Sequence, residues 1–184
     1  MALFRGFIAV EIPAAPSIID FENAVAKTGA DVKLVEPENI HLTLKFLGDT
    51  EENQIDAIGK VIEESVVGIK PFMLTLKGTG VFPNDKYVKV VWIGIVNGEY
   101  LARIAQSIED KLAPFGFAKE RRGFSAHLTI GRVRTAKNKD ELLAAVQQFR
   151  EKEFLRHEIH AVMLKKSDLT PKGPIYTTIR EIPL

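Results

Sequence analysis

Apolar positions along this chain follow two periods, and the alternation between them predicts an ordered series of elements. Phe4 to Ile12 is mostly apolar, broken by Arg5 and Glu11, and reads as a first strand. From Ala14 to Lys27, Ile18, Ile19, Phe21, Ala24 and Val25 fall near one helical stripe, which Gly29 closes. Val32 to Val35 reads as a short strand and Pro37-Glu38-Asn39 as a turn. Ile40 to Leu47 reads as a strand stopped by Gly48, with Asp49 or Thr50 capping a helix that runs to about Val66. Phe72 to Val81 and Tyr87 to Val96 read as two long strands joined at Pro83-Asn84-Asp85. Glu99 to Leu112 predicts a helix, Pro114 to Gly123 a loop, Phe124 to Val133 a strand and Lys139 to Phe149 a helix. Strands at Glu158 to Lys166 and Ile175 to Ile182 close the chain, with a turn at Pro171-Lys172-Gly173-Pro174.

This mixed order predicts an α+β fold with largely antiparallel sheets. The two halves, divided near Pro71, repeat a loose order of strand then helix. We therefore expect a bilobal molecule: two pseudo-symmetric lobes with flanking helices around a central cleft. No low-complexity segment or long linker separates them, so residues 1–184 are expected to form a single domain of two lobes.

Composition narrows the function classes. The chain has no cysteine, which excludes disulfides, thiolate nucleophiles and Cys-based zinc sites. The formal net charge is only +1, so the overall balance does not announce nucleic-acid binding. Arg5, Glu11 and Pro13 interrupt the apolar N-terminus, which reads as a strand rather than a signal peptide. No apolar run approaches the roughly 18 residues of a membrane span. The expectation is a cytoplasmic monomer without membrane contact. Six Asn and four Gln are few, which points to a thermophilic source.

The candidate chemistry lies in a repeated tetrapeptide, His41-Leu42-Thr43-Leu44 and His127-Leu128-Thr129-Ile130, which takes up half of the four histidines. On a strand, side chains alternate faces, so His and Thr of each copy share one face. Each copy then offers an imidazole and a hydroxyl, about 7 Å apart along the strand. With a pKa near 6.5, one imidazole can be neutral and the other protonated at working pH. The neutral one takes a proton from a nucleophile while the charged one gives a proton to a leaving oxygen. Hydroxyl donors aimed at a phosphate stabilise charge in the transition state. Two such pairs facing one another would break a phosphodiester without a metal. Spacing alone does not bring the two faces together.

These motifs give the chain a specific resemblance. It resembles the 2H phosphoesterase superfamily and, within it, the RNA 2′,3′-cyclic phosphodiesterase or 2′-5′ RNA ligase family. The matching segments are Arg5-Gly6-Phe7-Ile8-Ala9, HLTLKFLG at 41–48, VVWIG at 90–94, HLTIGR at 127–132 and KSDLTPKGPIY at 166–176. The resemblance implies a bilobal α+β fold with the motifs facing across a cleft. It implies His41 as general acid and His127 as general base, with Thr43 and Thr129 holding phosphate oxygens. It implies hydrolysis of a 2′,3′-cyclic phosphate to a 2′-phosphate, and 2′-5′ ligation when a 5′-hydroxyl replaces water. Neither metal, ATP nor another cofactor is implied. The partners implied are RNA with a cyclic phosphate end, tRNA halves among them, and nucleotides. In its C-terminal segment Ser167 and Tyr176 become candidate substrate contacts.

Further binding candidates follow from position. Strict alternation puts Lys45 on the face of His41 and Thr43, and Phe46 on the other face as core. Arg132 suits bidentate phosphate contact, but alternation puts it opposite His127 and Thr129 unless a bulge or twist at Gly131 brings it round. Lys119, Arg121, Arg122, Arg132, Arg134, Lys137 and Lys139 form a local basic cluster suited to an RNA backbone, with Arg122 a candidate contact. Trp92 reads as core, and His157 and His160 as structural or surface residues. Two rivals remain: a small-nucleotide cyclic phosphodiesterase, and a noncatalytic RNA- or nucleotide-binding module.

Overall fold

A computed structural model describes residues 2–184. Its strands are β1 (Leu3–Glu11), β2 (Val32–Leu34), β3 (His41–Glu51), β4 (Phe72–Asn84), β5 (Tyr87–Ile95), β6 (His127–Val133), β7 (Glu153–Ile159), β8 (Ala161–Thr170) and β9 (Gly173–Pro183). Its α-helices are α1 (Pro16–Lys27), α2 (Ile55–Val66), α3 (Glu99–Leu112) and α4 (Lys139–Gln148). Two antiparallel sheets result, in the orders β3-β1-β8-β9 and β2-β6-β5-β4-β7. Helices α2 and α3 pack together, α2 against β8 and β9 and α3 against β3, while α1 and α4 serve the second sheet. The fold is the expected α+β architecture with one motif strand in each lobe.

Local signals explain most boundaries. Pro16 opens α1, where its missing N–H costs nothing, and Ile18, Phe21 and Val25 turn one stripe inward. Gly29 takes a φ of 68° just beyond the helix end. In α3, Leu101, Ile104, Ala105, Ile108 and Leu112 are all buried, following the helical period. Among the described residues no helix is long and apolar enough to cross a membrane.

Five expectations are corrected. Gly48 does not stop β3. It adopts a φ of 70° and pairs with Gly6, with Leu47 left over as a bulge, and the strand runs on to Glu51. The helix after it starts at Ile55, behind a capping box of Glu51 and Gln54. The second motif strand starts at His127 rather than Phe124. The strand expected over Glu158–Lys166 is two strands, because the chain crosses from one sheet to the other at His160. Finally, the lobes are not the two halves of the chain. Strands β8 and β9 return to complete the first motif's sheet, while α1 and β2 join the second motif's lobe.

One buried group in α1 stands out energetically. Glu22 is 6% exposed, and among the described residues its Oε1 has no hydrogen-bond partner. Burial, helped by repulsion from Glu36, pushes its pKa up to about 7. The folded state therefore holds a proton that the unfolded chain releases near 4.5. Its share of stability is full below that value and is lost as pH rises through about 7. At about 1.4 kcal/mol per pKa unit the loss reaches at most ~3.5 kcal/mol. Glu22→Gln is expected to raise the urea midpoint at pH 8 and leave it nearly unchanged at pH 4.5. Equal midpoints at pH 8 would show that the carboxylate is solvated or paired.

Candidate active site

The two motif strands approach within 8 Å, Cα to Cα, and His41, Thr43, His127 and Thr129 line one cavity of about 300 Å³. The two faces that spacing left unconnected therefore converge. Each imidazole is fixed in the same way. His41 Nδ1 lies 2.6 Å from the carbonyl oxygen of Asn39, and His127 Nδ1 lies 2.7 Å from that of Ser125. A carbonyl only accepts, so each Nδ1 carries the proton and donates it. Each Nε2 is thereby left for chemistry. Aromatic rings brace both: Phe7 lies 4.9 Å and Tyr176 5.2 Å from His41, and Phe82 meets His127 edge-on at 5.0 Å.

Within the first motif, His41 Nε2 sits 3.0 Å from Thr43 Oγ1. The spacing along the strand is closed because both side chains lean toward one another across the same face. Burial holds the His41 pKa below the ordinary imidazole value, against the Asn39 carbonyl, which favours the charged form. The positive charges of Lys165 and Arg132 push it down further. An NMR titration of the free protein is expected to place His41 below about 6.5. An anionic nucleotide in the cavity should raise that midpoint by offsetting the cationic field. A midpoint that the anion does not move would mean that it binds elsewhere.

A shared irregularity decides which neighbours reach the cavity. In β3 the pairing to β1 skips Leu44; in β6 the pairing to β5 skips Ile130. Both are the fourth residue of the motif, and each is a bulge that reverses the alternation beyond it. In each strand, positions four and five are buried: Leu44 and Lys45, Ile130 and Gly131. The sixth positions, Phe46 and Arg132, come round to the cavity. The bulge expected at Gly131 thus sits one residue earlier. Gly131 has a different constraint, since a Cβ there would lie 2.6 Å from Val32 Cγ1.

The same bulge corrects Lys45 and Phe46. Lys45 turns off the His41 face toward α3. Its side chain is 1% exposed, with Nζ 2.9 Å from Glu109 Oε1 and 2.9 Å from the Ala118 carbonyl oxygen. It walls one end of the cavity, with its charge already paired. Phe46, expected in the core, is 58% exposed and lines the cavity.

Arg132, Tyr176 and Ser167 fall together. All three line a second hollow with Arg5 and Phe7, which joins the first at His41, Phe46, Arg132 and Tyr176. Burial raises the Tyr176 pKa, keeping its hydroxyl protonated and able to donate. Arg122 stays exposed on the loop before β6, whose Gly123, Phe124 and Ser125 line the cavity instead. The expected basic cluster divides: Lys119 pairs with Asp110, while Arg134, Lys137 and Lys139 lie at the far end of β6. Trp92 pairs with Thr129, which places it on the cleft side rather than wholly in the core. Its ring lies over Gly80, where a Cβ would come within 2.2 Å of it. His160 is exposed beside Glu158, and His157 lines a hollow behind His41 with Glu11 and Lys165. Among the described residues no three His, Cys, Asp or Glu side chains are placed to hold a metal.

Sequence reasoning missed Phe7, Phe82 and the two carbonyls that anchor the imidazoles. Phe7 stands in a quoted segment, but nothing in its local pattern marks it as a ring brace. A carbonyl has no side-chain signature at all.

A two-sheet α+β fold whose paired histidines meet in a cleft defines a class of protein, and comparison with known proteins agrees. The 2′-5′ RNA ligase superfamily pattern matches residues 16–169, and the chain belongs to that superfamily. It is 37% identical over 175 residues to an RNA 2′,3′-cyclic phosphodiesterase of Methanothermobacter thermautotrophicus, covering 94% of this chain and 95% of that one. It is 40% identical over 179 residues to the protein of the same name from Methanocaldococcus jannaschii, covering 96% and 99%. Among solved structures, E. coli LigT complexed with 3′-AMP superposes with a TM-score of 0.78 at 22% identity, covering 100% of this chain and 99% of that one, which is a likeness of fold.

Proposed function

We propose that this protein hydrolyses the 2′,3′-cyclic phosphate end of RNA to a 2′-phosphate by paired general acid–base catalysis. The observation that carries the reading is the cavity holding both motifs, with each Nδ1 anchored and each Nε2 left for proton transfer. The names of the relatives supply the substrate class. In the proposed step, His127 Nε2 takes a proton from water as its oxygen attacks phosphorus. The P–O3′ bond breaks, and His41 Nε2 gives its proton to O3′. Thr43, Thr129 and Arg132 hold the nonbridging oxygens.

Burial lowers the His41 pKa and so disfavours the charged acid in the free protein, which substrate binding must offset. The anionic phosphate does this by offsetting Arg132 and Lys165. With a 5′-hydroxyl in place of water, the same groups would form a 2′-5′ linkage, as between tRNA halves. The strained ring drives either outcome, so neither metal nor ATP enters the scheme. We place the enzyme in the cytoplasm as a monomer, with the whole chain acting as one catalytic unit.

The test uses a short RNA ending in a 2′,3′-cyclic phosphate, with EDTA and without ATP. A 2′-phosphate end is the expected product. A 3′-phosphate would overturn the leaving-oxygen assignment, and an intact cyclic end would overturn the reading.

A further inference from the structure

The tip of the β4–β5 hairpin and the turn between β6 and α4 meet in a shallow depression of about 90 Å³. Lys86, Tyr87, Lys89, Arg134 and Lys139 line it, and Lys137 belongs to the same turn. Six residues thus bring five cations and one aromatic ring together on a chain whose net charge is +1. Asp85 and Asp140 are the acids adjoining in sequence, yet among the described residues none of the five cations lies within 4 Å of a carboxylate. Tyr87 is 60% exposed, with Lys89 Nζ 4.6 Å from its ring centroid. The ammonium backs one face of the ring, and the opposite face stays available as a stacking surface.

The patch is preformed. Asn84 Oδ1 accepts from the backbone N–H groups of both Lys86 and Tyr87, each at 3.0 Å, which fixes the hairpin tip. Asn138, at a φ of 51°, donates from Nδ2 to the Thr28 carbonyl oxygen at 2.9 Å, which fixes the other turn. The patch also continues the cleft. Val90 and Arg132 are cross-strand partners on the cavity wall, and their neighbours Lys89 and Val133 line the depression. At about 3.3 Å per residue, Tyr87 stands ~10 Å along β5 from Val90.

We propose that this surface is a docking site for the RNA strand that leads to the reacting end, holding backbone phosphates on the cations and one base on Tyr87. Cations plus an aromatic platform are what sequence-tolerant single-strand binding requires. The inference rests on the RNA-end reading above and makes the enzyme selective for oligonucleotides over mononucleotides.

The test neutralises the exposed patch with Lys86→Gln, Lys89→Gln, Arg134→Gln and Lys139→Gln together, with folding checked by circular dichroism. The substrates are a ten-nucleotide RNA with a 2′,3′-cyclic end and a 2′,3′-cyclic mononucleotide. For the RNA, kcat/KM is expected to fall tenfold or more. Its log–log salt dependence should become shallower by as much as about 3, at ~0.7 per single-strand phosphate contact. For the mononucleotide it should change less than twofold. Equal losses on both substrates, or none on either, would overturn the proposal. Fluorescence anisotropy with the same RNA reads the patch without turnover. Unchanged affinity in the variant overturns docking even if the enzyme is active. Turnover of neither substrate by the native protein would sink the catalytic reading instead, and the anisotropy would still decide the patch.

Discussion

His127→Ala and His41→Ala are each expected to lower kcat on a cyclic-phosphate RNA end by about 10²–10⁴, the range for losing one positioned acid or base. The two proton transfers serve one transition state, so the double variant should lose far less than the product of the single losses. The pH profile separates the roles. A base must be deprotonated, so activity rises with pH through its pKa; an acid must be protonated, so activity falls above its own. His127→Ala should therefore lose the ascending limb, and His41→Ala the descending one. The opposite pattern would exchange the two labels. Full turnover in either variant would remove that histidine from the chemistry. Because His41 packs on Phe7 and Tyr176, His41→Gln serves as the control that fills the space without an imidazole.

The second large effect concerns stability. Lys45 and Glu109 form an ion pair whose side chains are 1% and 12% exposed, and Lys45 Nζ donates a second hydrogen bond to the Ala118 carbonyl oxygen. Lys45→Ala leaves a nearly buried carboxylate without its counter-charge. Breaking such a pair from one side costs about 3–5 kcal/mol. The urea denaturation midpoint should drop accordingly. The double variant Lys45→Met with Glu109→Leu should recover most of the loss, since no uncompensated charge remains. A loss under ~1 kcal/mol in Lys45→Ala would mean that the pair behaves like a solvent-exposed one.

Lys45 also shows where alternation stops being a guide. Read along the strand, it belongs with His41 and Thr43. The bulge at Leu44 sends it the other way, and the equivalent bulge at Ile130 delivers Arg132 to the cavity. The two departures from strict alternation share one cause, an extra residue at the fourth motif position. The pattern around it is unremarkable: Leu44-Lys45 in one copy and Ile130-Gly131 in the other. Whether a strand holds an extra residue depends on the partner strand's length and on what lies beneath. In β6 the Ile130 carbonyl accepts from Val35 N–H at 2.8 Å, a contact from a segment 95 positions away in sequence.

Sequence by itself determined the repeated His-Leu-Thr-aliphatic tetrapeptides, their strand character, most helices and the mixed α+β order. These are properties of neighbouring residues: period, turn chemistry and β-branching act within a few positions. The tertiary structure alone decided that the two imidazoles share one cavity and that carbonyls of Asn39 and Ser125 anchor them. It also decided that β8 and β9 return to the first lobe while α1 and β2 join the second, and that the chain changes sheets at His160. Those facts depend on pairings between distant segments, selected by which surfaces bury together, and a one-dimensional period carries no record of them.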